Sequence, residues 1–266
     1  MDEPVFQTDA GGFLPTDHGR GPWDPKALHG GAPAALLARA VERFEPDPSL
    51  RVARLSYEFL RPIPLARLEL EIELLRPGRR VQLVGASLRA AGVEVCRVSA
   101  LRVARTPADL GSMSIVRTGG WPAPETLATT PFRLGRADGP SFATTGVEMR
   151  FARGGVQAGP AAVWIRLRRP IVDGEQPSPL MRVAAAADFG NGVSWELDFR
   201  RFVFINPDLV VGLWREPTTD WVLLDAATRA EAGAGATAFS GLHDAGGQLG
   251  VAVQSLLVAG RPDPAN

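Results

Sequence analysis

The chain of 266 residues holds one cysteine, three histidines and no net charge, with 29 basic residues against 29 acidic ones. Each scarcity removes a class of function. A single cysteine can close no intrachain disulfide and build no thiolate metal cluster. Cys96 lies in an alternating apolar stretch and reads as a small buried hydrophobe. His18, His29 and His243 are scattered without an HxxxH spacing, so no metal and no cofactor is expected. Zero net charge argues against nucleic acid as the main partner, which favours a basic face. A candidate local basic patch, Arg76-Pro77-Gly78-Arg79-Arg80, also reads as a solvated hairpin turn. No apolar run approaches the ~20 residues that span a bilayer, so no membrane partner is expected. The N-terminus is acidic and polar rather than basic and then apolar, which speaks against a standard signal peptide and for the cytoplasm.

What is present is an ordinary globular composition, 45% hydrophobic and 22% charged, enough for one large domain or two smaller ones. The two ends read as copies of one design. Val98-Ser99-Ala100-Leu101-Arg102-Val103-Ala104 closes the first half and Val253-Gln254-Ser255-Leu256-Leu257-Val258-Ala259 the second. Upstream lie two matching strands ending in a charged turn, Arg54 to Pro62 and Asp208 to Pro217. Leu55 and Leu209 stand 154 residues apart, and Val98 and Val253 stand 155 apart. A fixed internal period marks a repeated structural unit, and this one is domain-sized. On this alignment the second copy carries Gln254 where the first carries Ser99.

The order of elements repeats as well. Val5 to Asp17 reads as a strand and turn, broken by Gly11-Gly12, and His29-Gly30-Gly31 opens a helix over Ala32 to Phe44. Leu36, Leu37, Ala40 and Val41 recur there at helical spacing, and Pro33 sits in the first turn, where a missing N–H costs nothing. Four strand-like runs follow, Arg51–Arg61, Ala66–Leu75, Arg80–Arg89 and Glu94–Ala104. Leu68 to Leu74 alternates strictly, the mark of a strand with one wet face. The second half offers strands over Val147–Arg153 and Ala161–Arg168 and an alanine-rich helix over Pro179–Asp188, broken after Gly190-Asn191-Gly192. Strands return over Phe202–Ile205, Asp208–Trp214, Trp221–Arg229, Ala234–Leu242 and Leu249–Val258. These patterns predict units at 1–107 and 133–266, joined by a Pro- and Gly-rich linker at 108–132.

A helix introduced by His29-Gly30-Gly31, a strand ending Phe59-Leu60-Arg61-Pro62 and a long meander together resemble the hotdog fold. Two such units in one chain resemble the double-hotdog acyl-CoA thioesterases of the bacterial thioesterase II type. The resemblance implies an α+β fold, two tandem units whose antiparallel sheet wraps central helices. It implies hydrolysis of acyl-CoA to free fatty acid and CoA, with acyl-CoA as the small-molecule partner and a homodimer or larger assembly. It also implies a site. The family's aspartate matches Asp188, its final-strand glutamine matches Gln254, and its threonine position holds Asn206 in Asn206-Pro207-Asp208-Leu209.

These residue types suit direct attack by water. No GxSxG elbow is present. Asp188 can act as general base, an effect worth ~10²–10⁴-fold, while Gln254 and Asn206 can fix the water. His29, Gly30 and Gly31 are expected to contact substrate, the glycines by letting it approach backbone N–H groups at a helix start. His29 otherwise reads as a loop or cap histidine rather than a catalytic one. Blander roles stay open for the rest: Asp188 as a helix-end residue, Gln254 as a solvent-facing strand residue, Asn206 as a strand-entry turn. The competing function is a non-catalytic acyl or acyl-CoA binding protein. A hotdog dehydratase would want an Asp-x-x-x-x-His run, which none of the three histidines has.

Overall fold

A computed structural model describes residues 3–105, 120–132, 139–199 and 201–261. The elements in chain order are β1 (Phe6–Asp9), β2 (Gly12–Pro15), α1 (Gly31–Arg43), β3 (Leu50–Phe59), β4 (Glu69–Arg76), β5 (Val81–Ala90) and β6 (Val93–Ala104). Then come β7 (Val147–Arg153), β8 (Ala161–Leu167), α2 (Pro179–Ala187), the short α3 (Gly190–Val193), β9 (Phe202–Ile205), β10 (Asp208–Leu213), β11 (Val222–Glu231), β12 (Gly235–Asp244) and β13 (Gly247–Gly260). One sheet runs through both halves in the order β4-β5-β6-β3-β10-β13-β12-β11-β8-β7, with β9 added on β13. Among the described residues no helix is long and apolar enough to cross a membrane.

The sheet wraps α1 and α2. Helix α1 is buried on most sides, from Ala32 through Ala38 and again at Val41, as its alanine and leucine content predicts. Leu36 and Leu37 are fully buried, each worth ~1.5–3 kcal/mol of removed apolar surface. The two helices run antiparallel. Arg39 near the end of α1 donates to Glu175 just before α2, at 2.6 Å, while Gly31 at the start of α1 lies against Ala185 in α2. From β6, Arg102 reaches inward to donate to the carbonyls of Val41 and Phe44, capping the last turn of α1.

The halves meet where β3 pairs with β10, and the register locates the internal twofold. Ser56 faces Val210, and those residues are 154 apart, so each is the other's counterpart. Ser56 also faces Ser99, and Val210 faces Val253. The counterpart of Ser99 is therefore Val253, and that of Gln254 is Ala100. The expected match of Ser99 to Gln254 is thus one residue out, and a slip of one moves a side chain to the opposite face. Ser99 points outward, whereas Ala100 and Gln254 are both buried.

The repeat is not complete. In the second half β7 and β8 extend the sheet, but in the first half β1 and β2 form a separate hairpin. That hairpin is held by bridges from Phe6 to Val172 and from Phe13 to Leu68. Of the expected linker, residues 108–119 lie outside the described residues. Trp121 and Leu127 pack with Trp164 on the outer side of the second half, where Trp164 Nε1 donates to the Pro122 carbonyl at 2.9 Å, while Phe132 turns into the main core. The arginine-rich stretch from Arg76 to Arg80 lies at the exposed β4–β5 connection, as its turn reading predicts.

Candidate active site

Helix α2 stops at Asp188, which caps it, and the chain turns again into α3. The sequence patterning places this carboxylate at a C-terminus, where the helix dipole disfavours it. The antiparallel packing offsets that, because Asp188 also lies against the opening of α1. A Cβ added at Gly30 would sit 2.8 Å from Asp188 Oδ2 and 3.0 Å from Oδ1. Only glycine leaves that room, and the unpaired N–H groups of a helix start favour an anion there. Gly31 serves packing instead, since a Cβ there would lie 2.6 Å from the Ala185 carbonyl.

Three side chains gather on this carboxylate: Asn206, Gln254 and His29. Asn206 donates from Nδ2 to Asp188 Oδ1 at 2.9 Å and to the Asp208 carbonyl at 3.1 Å. Because a carboxylate only accepts, the amide's orientation is fixed, and Oδ1 of Asn206 has no donor among the described residues. Gln254, 1% exposed, donates from Nε2 to the Asp188 carbonyl at 3.2 Å and reaches Asp188 Oδ1 at 3.4 Å. Its Oε1 accepts from Asn191 N–H at 3.0 Å. The amide thus bridges the break between α2 and α3. Gly190 makes room for it, since a Cβ there would lie 2.7 Å from Gln254 Oε1. Asp208 accepts from Ser255 N–H at 2.6 Å.

The contact that sequence reasoning missed is His29. Its Nδ1 stands 3.0 Å from Asp188 Oδ2 and also 3.0 Å from the N–H of Gly31. One ring nitrogen can serve only one of them. In one tautomer the Gly31 N–H donates to Nδ1; in the other Nδ1 carries the hydrogen toward Asp188 and Nε2 becomes the acceptor. The ring is held against Phe189 at 4.3 Å between centroids and Phe142 at 5.4 Å. Nothing in the spacing of residues 29 and 188 announces this pair; only the antiparallel helices bring it together.

Asp188, His29, Gly30, Asn191 and Asn206 line a cavity of about 560 Å³. Its other walls are mainly apolar, including Trp23, Ile63, Phe132 and Leu257, with Arg61 and Arg261 also on its lining. Gly31 and Gln254 are not on the wall. The N–H of Gly30 has no acceptor among the described residues. Two other titratable groups lie buried in the nearby core, Tyr57 and Cys96. Burial pushes the Cys96 thiol well above its ordinary range, and the charge of Asp188 raises it further. Burial does the same for Tyr57, whose hydroxyl donates to the Ala34 carbonyl at 3.1 Å. Both stay neutral, so Cys96 behaves as the buried hydrophobe its sequence context predicts.

Comparison with known proteins gives this arrangement a setting. Residues 19–103 match the model of the acyl-CoA thioesterase N-terminal domain, and residues 124–258 that of the acyl-CoA thioesterase C-terminal domain. Among solved structures, a conserved protein of unknown function with a hot dog fold from Alicyclobacillus acidocaldarius is 16% identical, with a TM-score of 0.70. The match covers 97% of this chain and 96% of that one. An acyl-CoA thioesterase II from Mycobacterium marinum is 17% identical with a TM-score of 0.64, over 91% of this chain and 93% of that one. At such identities the structural likeness speaks for the fold alone, two tandem hotdog units. No curated protein matches the chain.

Proposed function

The chain belongs to the acyl-CoA thioesterase family, and from that premise we propose that it cleaves acyl-CoA by direct attack of a water that Asp188 deprotonates. It is an acyl-CoA thioester hydrolase, and both matched domains favour the enzyme over the binding-protein reading. The observation that carries the mechanism is the cluster itself. A carboxylate faces an apolar cavity and is held by two amides and an imidazole, with no arginine on it among the described residues.

In this reading the water donates one hydrogen to Asp188 and the other to Oδ1 of Asn206. Its oxygen attacks the thioester carbon as Asp188 takes the proton. The carbonyl electrons move to oxygen, and the oxyanion rests on the N–H of Gly30. Collapse expels the CoA thiolate, which recovers the proton from Asp188, leaving a free acid and CoA. Gln254 acts from behind the wall, fixing Asp188 and the helix break. His29 orients Asp188 from the other side. Arg61 and Arg261 on the cavity lining suit the phosphates of CoA, and the apolar walls suit the acyl chain.

The His29 contact favours a second reading, in which Asp188 orients the imidazole and Nε2 takes the proton. Thiol release measured across acyl-CoA chain lengths tests the activity first. Asp188→Asn preserves shape but removes the base, and its kcat is expected to fall ~10²-fold or more with KM largely kept. Gln254→Ala is expected to lose less, because Asn206 and His29 still hold the carboxylate. Wild-type turnover in Asp188→Asn would sink the assignment.

We further place the two units at 1–107 and 133–266 around the linker, and the protein in the cytoplasm, where a lone buried cysteine is no handicap. No further strand pairs beyond β4 or β7 at the two ends of the sheet among the described residues, although Thr130 N–H donates to the Met149 carbonyl of β7; the β4 edge is a motive for self-association into a homodimer or larger. Light scattering should then show a species heavier than one chain at micromolar concentration; a monomer alone would count against it.

A further inference from the structure

The polar inventory of the cavity is one donor short. The reaction asks for something to hold the thioester carbonyl besides the N–H of Gly30. Both amide hydrogens of Asn206 are already donated, to Asp188 and to the Asp208 carbonyl. Gln254 is occupied at both ends of its amide and lies off the cavity wall. Asn191 differs from both. It is 7% exposed and lines the cavity, three residues after Asp188 and in α3, just beyond the helix break. Its backbone N–H is held by Gln254, yet its side chain makes no hydrogen bond among the described residues. Neither of its amide atoms is among those both sealed from solvent and unpartnered. A carboxamide buried this deeply without a partner costs ~1–3 kcal/mol, unless its open side meets a ligand or water.

We infer that Asn191 is a further catalytic residue, whose Nδ2–H donates to the thioester carbonyl oxygen and to the oxyanion that replaces it. The inference rests on the thioesterase reading and adds to it. The backbone bond to Gln254 fixes where the Asn191 Cα stands, so its amide is aimed at the cavity by the same residue that holds the helix break. A group preorganised in this way stabilises charge as it develops, without reorganisation at the moment of reaction. It also gives the Gln254 position a purpose at the wall it does not itself reach.

The test uses the full-length protein and the acyl-CoA that the wild type hydrolyses best, with thiol release as readout. Removing a single oxyanion donor typically lowers kcat ~10²–10³-fold, and Asn191→Ala is expected to fall in that range while KM stays within a few-fold. Asn191→Asp keeps the shape but can only accept and carries negative charge, so it is expected to fall at least as far. Thermal melting of both variants within a few degrees of wild type would exclude a folding defect; should Asn191→Ala fail to fold, Asn191→Asp alone decides. Full activity in either variant overturns the inference, as does an effect confined to KM. If instead the wild type cleaves no acyl-CoA, it is the thioesterase reading that fails.

Discussion

The helix pair has two ends, and the fold treats them differently. Where α1 finishes and α2 begins, half-buried acids are met by cations and a hydroxyl. Glu175 takes Arg39 and Arg43, and the Arg39 guanidinium holds its carboxyl below the ordinary range. Glu42 accepts from the Ser178 hydroxyl, and Arg102 caps the helix carbonyls. Where α1 begins and α2 finishes, Asp188 meets an imidazole and two neutral amides. The contrast has a chemical meaning. Both kinds of donor stabilise the charged carboxylate, but a guanidinium adds a full opposite charge and so weakens it as a base more than a neutral amide does. The last strand of each copy decides which end is which. Its inward residue is Gln254 in the second copy and Ala100 in the first, and a methyl group can orient nothing. On the proposed mechanism, one site per chain is expected.

The sharpest way to test that contrast is at His29, the titratable side chain in contact with Asp188 among the described residues. If the imidazole only orients the carboxylate, His29→Asn should lower kcat by about tenfold, less than Asp188→Asn does. The acid limb of the kcat–pH profile, which reports ionisation of the base, should persist in that variant. A loss as large as that of Asp188→Asn, with the limb gone, would transfer the base to His29. The active end would then differ from the inert one by its imidazole rather than by its unclamped carboxylate.

Much of this was legible before any coordinates. The strands follow alternation, α1 follows its alanine and leucine spacing, and the 154-residue offset between Leu55 and Leu209 is the true register of the repeat. The 155-residue offset between Val98 and Val253 is not, because two valines on opposite faces of a strand look alike in sequence. The residues Asp188, Asn206 and Gln254 do gather as the resemblance implies. What sequence could not supply is which of their polar atoms remain free. That depends on the α2–α3 break, where Gln254 spends its amide on backbone groups and Asn191 keeps its own. No sequence signal marked Asn191, because the flanking Gly190 and Gly192 made the stretch read only as a helix stop. The His29 contact and the separate β1–β2 hairpin arise from packing between halves, which no local pattern encodes.

The smallest expected effect lies at the other end, and it would break the comparison if it proved large. Glu42→Gln keeps the acceptor for Ser178 and removes the charge, so kcat should stay within about twofold of wild type. Stability is where it should register. Burial raises Glu42 above its ordinary carboxylate value of 4.5, the Ser178 bond opposing that only in part. The folded protein therefore holds this proton more tightly than the unfolded chain. Wild-type stability is favoured by Glu42 below that unfolded value and is lost as pH rises through the window up to the folded one. The glutamine variant has no such term. Melting curves between pH 4 and pH 7 should show Glu42→Gln gaining on wild type as pH increases, by a few degrees at most. A gap that narrows with rising pH would mean that Glu42 is stabilised as an anion, and a marked fall in kcat would give this end a part in catalysis that its arginines argue against.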